Sequence, residues 1–159
     1  MKHLITLLLA VFFIAGTQHT QAQTKEETID WLNTHSNSLM KKDYRCMLIK
    51  KISSDGEIVM ITSRYHENEY FIRKHNLKND IWLEDIWLGS SGTIASGTKE
   101  YSVNFSPKEP FLSESIGEYG RWNSSFCFTD EQNAKRVYNA LIHLAKLLGT
   151  KSKPKENTF

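Results

Sequence analysis

Apolar residues near the end of the chain recur at the three-to-four spacing that puts them on one face of an α-helix. Residues 129–149 carry this spacing at Ala134, Val137, Leu141, Leu144, Ala145 and Leu148. Thr129 with Gln132 matches a capping box, and Gly149 can take the left-handed conformation that ends a helix. We predict an amphipathic helix that packs on an apolar surface. Its polar face should turn four residues to water: Lys135, Asn139, His143 and Lys146.

A second helical pattern lies near the start of the chain, over residues 24–39. Thr24 with Glu27 forms another capping box. One face of this segment carries Ile29, Leu32, Ser36 and Leu39, with Trp31 beside them. Because this apolar stripe is thin, we expect the helix to lie on the outside of the sheet rather than inside the core.

Between the two helices, β-branched and aromatic residues occur in short runs separated by turn residues, which is the pattern of antiparallel strands. We predict strands over residues 44–52, 57–65, 69–74, 81–88, 93–95, 100–105 and 124–128. Asp55-Gly56 marks a hairpin turn, and the segment Gly89-Ser90-Ser91-Gly92 should end the strand before it. Residues 111–116 follow two prolines and fit an edge strand.

These elements predict an α+β domain: a bent antiparallel sheet or partly open barrel of about seven strands, with an N-terminal helix outside it and a C-terminal amphipathic helix capping it. The domain should span residues 23–149, and the polar residues 150–159 should form a disordered tail. The segment DIWLEDIWL at 80–88 repeats after five residues, which matches neither the strand nor the helix period. Trp82 and Trp87 are therefore predicted on opposite faces of one strand.

The same outline resembles the pleckstrin-homology-like barrels, in which a C-terminal helix plugs the open end of a strongly bent sheet. Leu83-Glu84-Asp85-Ile86 resembles the fourth-strand element of small secreted bacterial proteins with this outline. Their closing helix is similar to this chain at Asp130, Arg136, Ala140, Leu141, His143, Leu144, Leu147 and Gly149. The resemblance covers residues 44–149 and implies a PH-like fold in a family of no established function. Phosphoinositide-binding members cluster Lys and Arg at the first hairpin, where this chain offsets two lysines with two acids.

The first residues match a secretory signal peptide over residues 1–22. Lys2 and His3 form a short basic start, an apolar run follows at 4–16, and Ala22 closes a small-residue cleavage site. The alternative, a transmembrane anchor, needs about 20 apolar residues, and polar residues interrupt this run from Thr17 onward. We therefore expect cleavage after Ala22, a secreted or periplasmic protein, and no stable membrane insertion after cleavage.

The charge balance argues against a nucleic-acid-binding protein. The chain has 20 Lys and Arg and 18 Asp and Glu side chains, a formal net charge of +2. Proteins that bind nucleic acids normally carry a strong basic excess on one face. We expect the partner to be an envelope or extracellular protein instead.

Cys46 and Cys127 both lie in predicted strands. An oxidising compartment permits a disulfide between them, which would close a loop of about 80 residues and add roughly 4 kcal/mol of stability. The alternative is two separate thiols that serve as small apolar residues. If Phe126 and Phe128 face the core, Cys127 points the other way, where a neighbouring strand could meet it. The residues leave both alternatives open.

No recognisable catalytic or metal-binding pattern is present in the sequence. A G-x-S-x-G nucleophile motif and a C-x-x-C pair are absent, and no two histidines of residues 23–159 have the close spacing of metal ligands. Glu84 and Asp85 are adjacent acids in an apolar strand, so they point to opposite faces and cannot act together as an acid–base pair. We therefore predict no catalytic residue, no metal site and no cofactor.

Exposed aromatic and arginine side chains often anchor protein contacts. Tyr119, Arg121 and Trp122 lie in an irregular segment, where binding residues tend to concentrate, and we predict them as a binding surface. The leading hypothesis is a non-enzymatic binding module that acts by protein–protein contact. The alternatives are a carrier that holds a small apolar ligand in a barrel cavity and, third, an envelope hydrolase with a site built from scattered residues.

Overall fold

The computed structural model describes residues 23–42, 46–63, 70–92, 99–109, 111–113, 118–120 and 123–154. Within these residues there are two helices, α1 (Lys25–Leu39) and α2 (Glu131–Leu148). The strands are β1 (Leu48–Ile52), β2 (Glu57–Ser63), β3 (Tyr70–Asn76), β4 (Ile81–Gly92), β5 (Lys99–Pro107), β6 (Phe111–Ser113), β7 (Glu118–Gly120) and β8 (Ser124–Phe128). The predicted α+β class is confirmed. The predicted strand at 93–95 and the predicted signal peptide lie outside the described residues.

Six of these strands form two separate three-stranded antiparallel sheets, sheet A in the order β1-β2-β3 and sheet B in the order β4-β5-β8. The short strands β6 and β7 form a separate two-stranded pair among the described residues. The predicted antiparallel strands are confirmed, but the predicted single bent sheet or partly open barrel of about seven strands is replaced by two separate sheets with six strands between them, and the described strands form no closed barrel. After the turn at 77–80, β4 pairs with β5 instead of β3. Alternation of apolar residues shows which face of a strand is buried, but it does not specify the neighbouring strand.

Both sheets and both helices contribute to one hydrophobic core. The largest fully buried side chains on sheet B are Phe105, Phe126 and Phe128, and the rings of Phe105 and Phe126 are 5.6 Å apart. Sheet A adds Ile58 and Met60, which are completely buried on one face of β2. Neither helix of the described chain has the length and apolar character that crossing a bilayer requires.

Helix α2 covers the core as its spacing predicts. Five of the six predicted apolar positions are buried and the sixth, Leu148, packs partly against the core. Leu148 also contacts Gly56 in the β1–β2 hairpin, where a Cβ atom would lie only 2.6 Å from the Leu148 side chain. Gly56 has a φ of 90°, a backbone conformation that favours glycine, and a larger residue would also displace the end of the Leu148 side chain.

Two of the three predicted helix caps are confirmed, and the predicted N-cap of α2 is wrong by one residue. Thr24 and Glu27 form the predicted capping box at the start of α1. The predicted cap at Thr129 is wrong by one residue, because the Asp130 side chain accepts a hydrogen bond from the Asn133 backbone N–H at 2.8 Å. A carboxylate is at least as good an N-cap as a threonine hydroxyl, so the helix begins one residue later. Gly149 ends α2 with a φ of 76°, as predicted.

Helix α1 lies along the open edge of β1. Asn37 accepts a hydrogen bond from the Ile49 backbone N–H at 3.0 Å and donates to the Ile49 carbonyl oxygen at 2.5 Å. Asn33, one helical turn earlier, makes the same pair of bonds to Ile52. The two amides replace a neighbouring strand, so α1 satisfies backbone groups that would otherwise lack a partner.

The five-residue repeat is explained by an irregularity in β4. Ile81 pairs with Pro107 and Ile86 with Phe105, so β4 uses five residues where β5 uses two. This interruption lets both isoleucines face the core, and they are 0 and 4% exposed although their separation is odd. Trp82 and Trp87 are both half-buried. The prediction that these two tryptophans lie on opposite faces assumed that side chains alternate strictly along β4, and this alternation is interrupted between Ile81 and Ile86.

The segment Gly89-Ser90-Ser91-Gly92 does not end β4, contrary to prediction, but continues to pair with β5. Gly89 lies opposite Ser102, and a Cβ atom there would be 2.7 Å from the Ser102 hydroxyl and 2.8 Å from the Asn104 amide nitrogen. Asn104 in turn donates to Ser102 at 2.9 Å and accepts from Ser125 at 2.6 Å. The glycine leaves space for this polar row across sheet B.

Cys46 and Cys127 form a disulfide, with an S–S distance of 2.06 Å and Cα atoms 5.6 Å apart. The predicted orientation of Cys127 is confirmed, since Phe126 and Phe128 are buried and Cys127 lies on the opposite face of β8. Cys46 lies just before β1 and not, as predicted, within a strand. Beside the disulfide, the Lys41 and Met47 backbone N–H groups donate to the Cys127 and Ser125 carbonyl oxygens at 2.7 and 2.8 Å. These bonds join the chain that precedes sheet A to the outer edge of sheet B.

The residues after α2 run beside the irregular part of β4. The Thr150 hydroxyl donates to the Leu77 carbonyl oxygen at 2.9 Å, and the Lys151 carbonyl oxygen accepts from the Leu83 backbone N–H at 3.1 Å. Lys153 then contacts both adjacent acids of β4: its backbone N–H donates to Glu84 at 2.9 Å, and its ammonium group lies 2.6 Å from the Asp85 carboxylate. The prediction of a disordered tail did not anticipate these contacts.

Candidate functional site

The strongest candidate site is a groove between the two helices. Gln23, just before α1, contacts His143 in the second half of α2, and Trp31 in the middle of α1 contacts Arg136 near the start of α2. The helices therefore run in opposite directions. Their outer surfaces meet in an open groove of about 470 Å³, lined by Gln23, Trp31, Arg136, Asn139, Ala140 and His143, which we call the helix groove.

Trp31 forms the wall of the helix groove on α1. The Arg136 guanidinium lies over its ring, 5.8 Å from the ring centroid, which is within reach of a cation–π interaction. His35, one turn along α1, stacks on the same indole with ring centroids 6.1 Å apart and ring planes 15° apart. Contacts to Arg136 and His35 restrict the indole, so the groove has one ordered aromatic wall.

His143 closes the other end of the helix groove. Its Nε2 atom lies 2.6 Å from the Gln23 backbone carbonyl oxygen. A carbonyl oxygen can only accept a hydrogen bond, so Nε2 carries the proton and donates it. This bond ties the residue before α1 to α2 and fixes the orientation of the imidazole ring.

The charged side chains near the helix groove differ in whether they form ion pairs. Lys135, on the neighbouring position of α2, forms an ion pair with Glu131 at 2.8 Å. Within the described part of the chain, Arg136 makes no ion pair, and none of the six lining residues is a carboxylate. The acid on the same side of α1, Glu27, turns back to accept the Thr24 backbone N–H at 2.8 Å. The groove therefore offers a guanidinium, beside an aromatic ring, that no described carboxylate neutralises.

The predicted binding surface cannot be compared with the helix groove. Tyr119 lies in β7, but its side chain is outside the described residues, as are Arg121 and Trp122. Sequence reasoning had placed Trp31 beside the apolar stripe of the first helix, and Asn139 and His143 on the water-facing side of the second. It missed that these two surfaces lie side by side, because helical periodicity carries no information about which helices are neighbours.

A buried histidine lies apart from the groove. His75 on β3 is 5% exposed, and its ring meets Phe105 edge-on with centroids 5.8 Å apart. Burial lowers the pKa of His75 from 6.5 to about 4, while the nearby charge of Asp80 raises it and that of Arg73 lowers it further. The histidine is thus neutral at physiological pH and serves as part of the core.

Other kinds of site find little support in the described residues. No three His, Cys, Asp or Glu side chains among them are grouped closely enough to hold a metal ion. Aromatic side chains from sheet B fill the described core, where the carrier hypothesis requires a cavity. That hypothesis stays a prediction.

Comparison with protein-family models, with curated proteins and with solved structures finds no match to this chain. The argument for its function therefore rests on the chain's own residues. Of these, the helix groove provides the most specific combination of shape, aromatic surface and charge.

Proposed function

We propose that the protein is a secreted or periplasmic, non-enzymatic binding module that contacts a partner protein through the helix groove. The observation that carries the proposal is Arg136 placed over Trp31 in an open groove without a carboxylate partner in the described chain. Tryptophan and arginine are the residues that most often dominate the binding energy of protein interfaces. Restricting both side chains before binding lowers the entropy that association costs.

The disulfide supports the proposed location. Disulfides persist in oxidising compartments and are rare in the cytosol, and Cys46 and Cys127 are bonded here. The PH-like outline is likewise kept as a proposal for the fold. Its support is that α2 packs against all three strands of sheet B after the last strand of the chain.

Site-specific photocrosslinking in the native host tests the proposed contact. A photoreactive amino acid replaces Asn139 inside the helix groove, and a matched variant carries it at Lys78, an exposed residue of the turn before β4. We expect a discrete covalent adduct with one envelope or extracellular protein at position 139 and none at position 78. Equal adducts at both positions, or none at 139, would show that the groove is not the contact surface.

A further inference from the structure

We propose that the helix groove binds a carboxylate carried by an acidic peptide segment of the partner, with Arg136 as the residue that recognises it. This inference rests on the proposed function and specifies the chemistry of its partner. It starts from the charge of the groove, which has a guanidinium and no carboxylate among its six lining residues. An anion is therefore attracted to the groove without competition from an ion pair among the described residues.

The chemistry of Arg136 suits a carboxylate, which is the anionic group that the Asp and Glu side chains of a protein partner supply. A guanidinium presents a planar fork of N–H donors that matches the two oxygens of a carboxylate. The guanidinium carbon lies 5.8 Å from the Trp31 ring centroid, and no described residue accepts a hydrogen bond from Arg136, so its N–H groups are available to a ligand. Asn139 lies one turn further along α2 and lines the same groove, so its amide can donate to the same ligand.

The remaining surface indicates what accompanies the carboxylate. Trp31 and Ala140 supply an apolar wall and floor between the polar groups. An open groove of about 470 Å³ has room for a few side chains. An extended segment with one acidic residue next to an apolar residue matches this combination: the acid meets Arg136 while its neighbour packs against the indole.

Nearby acids do not occupy the position that we assign to the ligand. Glu131 pairs with Lys135 on the exposed side of α2, and Glu27 accepts the Thr24 N–H in the capping box. Both carboxylates have a partner inside the chain. Arg136 forms no ion pair with the described residues, so a carboxylate from outside gains its attraction without displacing one.

Titration of the purified protein with a defined peptide tests the inference. The probe is acetyl-Ala-Leu-Glu-Phe-Ala-amide, and its control replaces Glu by Gln, which has the same shape but no charge. Binding is followed by ¹⁵N-resolved NMR of the Trp31 indole N–H and the Asn139 amide. We expect the Glu peptide to bind with a Kd of roughly 0.1–1 mM and the Gln peptide roughly tenfold more weakly.

Three variants locate the effect. Arg136→Gln should weaken binding of the Glu peptide roughly tenfold, to the affinity of the Gln peptide. Arg136→Lys should recover only part of this lost affinity, because lysine lacks the planar fork of N–H donors. Lys135→Gln is the matched control: it removes a neighbouring exposed cation of α2 that already pairs with Glu131. It should change binding less than twofold, as expected for a charge outside the groove.

Each outcome bears on the inference. Equal binding of the two peptides, no binding at about 10 mM, or equal losses in Arg136→Gln and Lys135→Gln would overturn it. Equally tight binding of free 3-phenylpropionate would overturn the peptide assignment and indicate a small acid as the ligand. The crosslinking experiment at position 139 is independent of all these results, so the contact proposal can survive the loss of the carboxylate.

Discussion

Asn33 on α1 forms two hydrogen bonds with the backbone of a single residue on β1, Ile52. The Ile52 N–H donates to Asn33 Oδ1 at 2.7 Å, and Asn33 Nδ2 donates to the Ile52 carbonyl oxygen at 3.0 Å. With the equivalent pair between Asn37 and Ile49, these bonds give β1 a side-chain substitute for a neighbouring strand. They also explain why α1, with its thin apolar stripe, has one defined place on the sheet.

Replacing Asn33 with alanine should destabilise the protein by about 2 kcal/mol, because it leaves the buried N–H and C=O of Ile52 without partners. Urea denaturation measures the loss. Asn139→Ala is the matched control, since it makes the same change at an exposed helical position and should be neutral or slightly stabilising. Equal effects of the two substitutions would show that the Asn33–Ile52 bonds contribute nothing.

Reduction of the Cys46–Cys127 disulfide should lower the free energy of unfolding by about 4 kcal/mol. The bond closes a long loop and so reduces the conformational entropy of the unfolded chain. The two cysteines are 81 residues apart in sequence. Thermal unfolding with and without reductant measures the change. The double variant Cys46→Ala, Cys127→Ala should unfold at one temperature in both conditions; a variant that still responds to reductant would refute the assignment.

Stability should fall as pH drops from about 6.5 towards about 4, because His75 has a pKa of about 4 in the folded protein and 6.5 as its ordinary value. The unfolded chain therefore binds more protons in this window, and protonation favours it. Neutral His75 contributes on the order of 3 kcal/mol to the free energy of unfolding. This contribution is fully present above the pKa of the unfolded chain and is lost as the pH falls to the pKa of the folded protein.

Urea midpoints at several pH values between these limits provide the measurement. His75→Leu removes the titrating group and should flatten the curve between about pH 5 and 6.5, above the range in which the carboxylates of the unfolded chain take up protons. An unchanged slope in the variant would assign the pH dependence to other groups.

Gly89→Ala should destabilise the protein by about 1–3 kcal/mol, since the new Cβ atom would overlap the side chains of Ser102 and Asn104. Adding Ser102→Gly to this variant removes the closer of the two clashes and should recover part of the loss. Thermal denaturation of the two single variants and the double variant tests the coupling. Strict additivity would mean that Gly89 and Ser102 do not interact.

Removing the residues after Thr150 should expose the backbone N–H of Leu83, which donates to the Lys151 carbonyl oxygen. Hydrogen exchange at Leu83 should become roughly tenfold faster or more, whereas the Val103 amide inside sheet B should keep its protection. Lys153→Ala should have a smaller effect, since the Lys153–Asp85 pair is partly exposed and contributes about 1 kcal/mol or less. Unchanged exchange at Leu83 would show that the tail does not pair with β4.

Much of the local structure could be predicted from the sequence, because its causes are local. The three-to-four spacing of residues such as Val137, Leu141 and Leu144 already identifies the buried face of α2. Asp55-Gly56 identifies the first hairpin, and Gly149 identifies the end of α2, since each depends on a backbone conformation that few residues adopt. The opposite orientation of Phe126 and Cys127 follows from the period of a strand.

What the sequence could not decide depends on which elements become neighbours. The Asn33–Ile52 bonds and the disulfide join residues that are far apart in the chain. The separation into two sheets depends on strand order, which local patterns do not specify. The helix groove is of the same kind: Trp31 and Arg136 form a site only because α1 and α2 pack in opposite directions. Local patterns determine the face that each element buries, whereas packing of the whole core selects its partner.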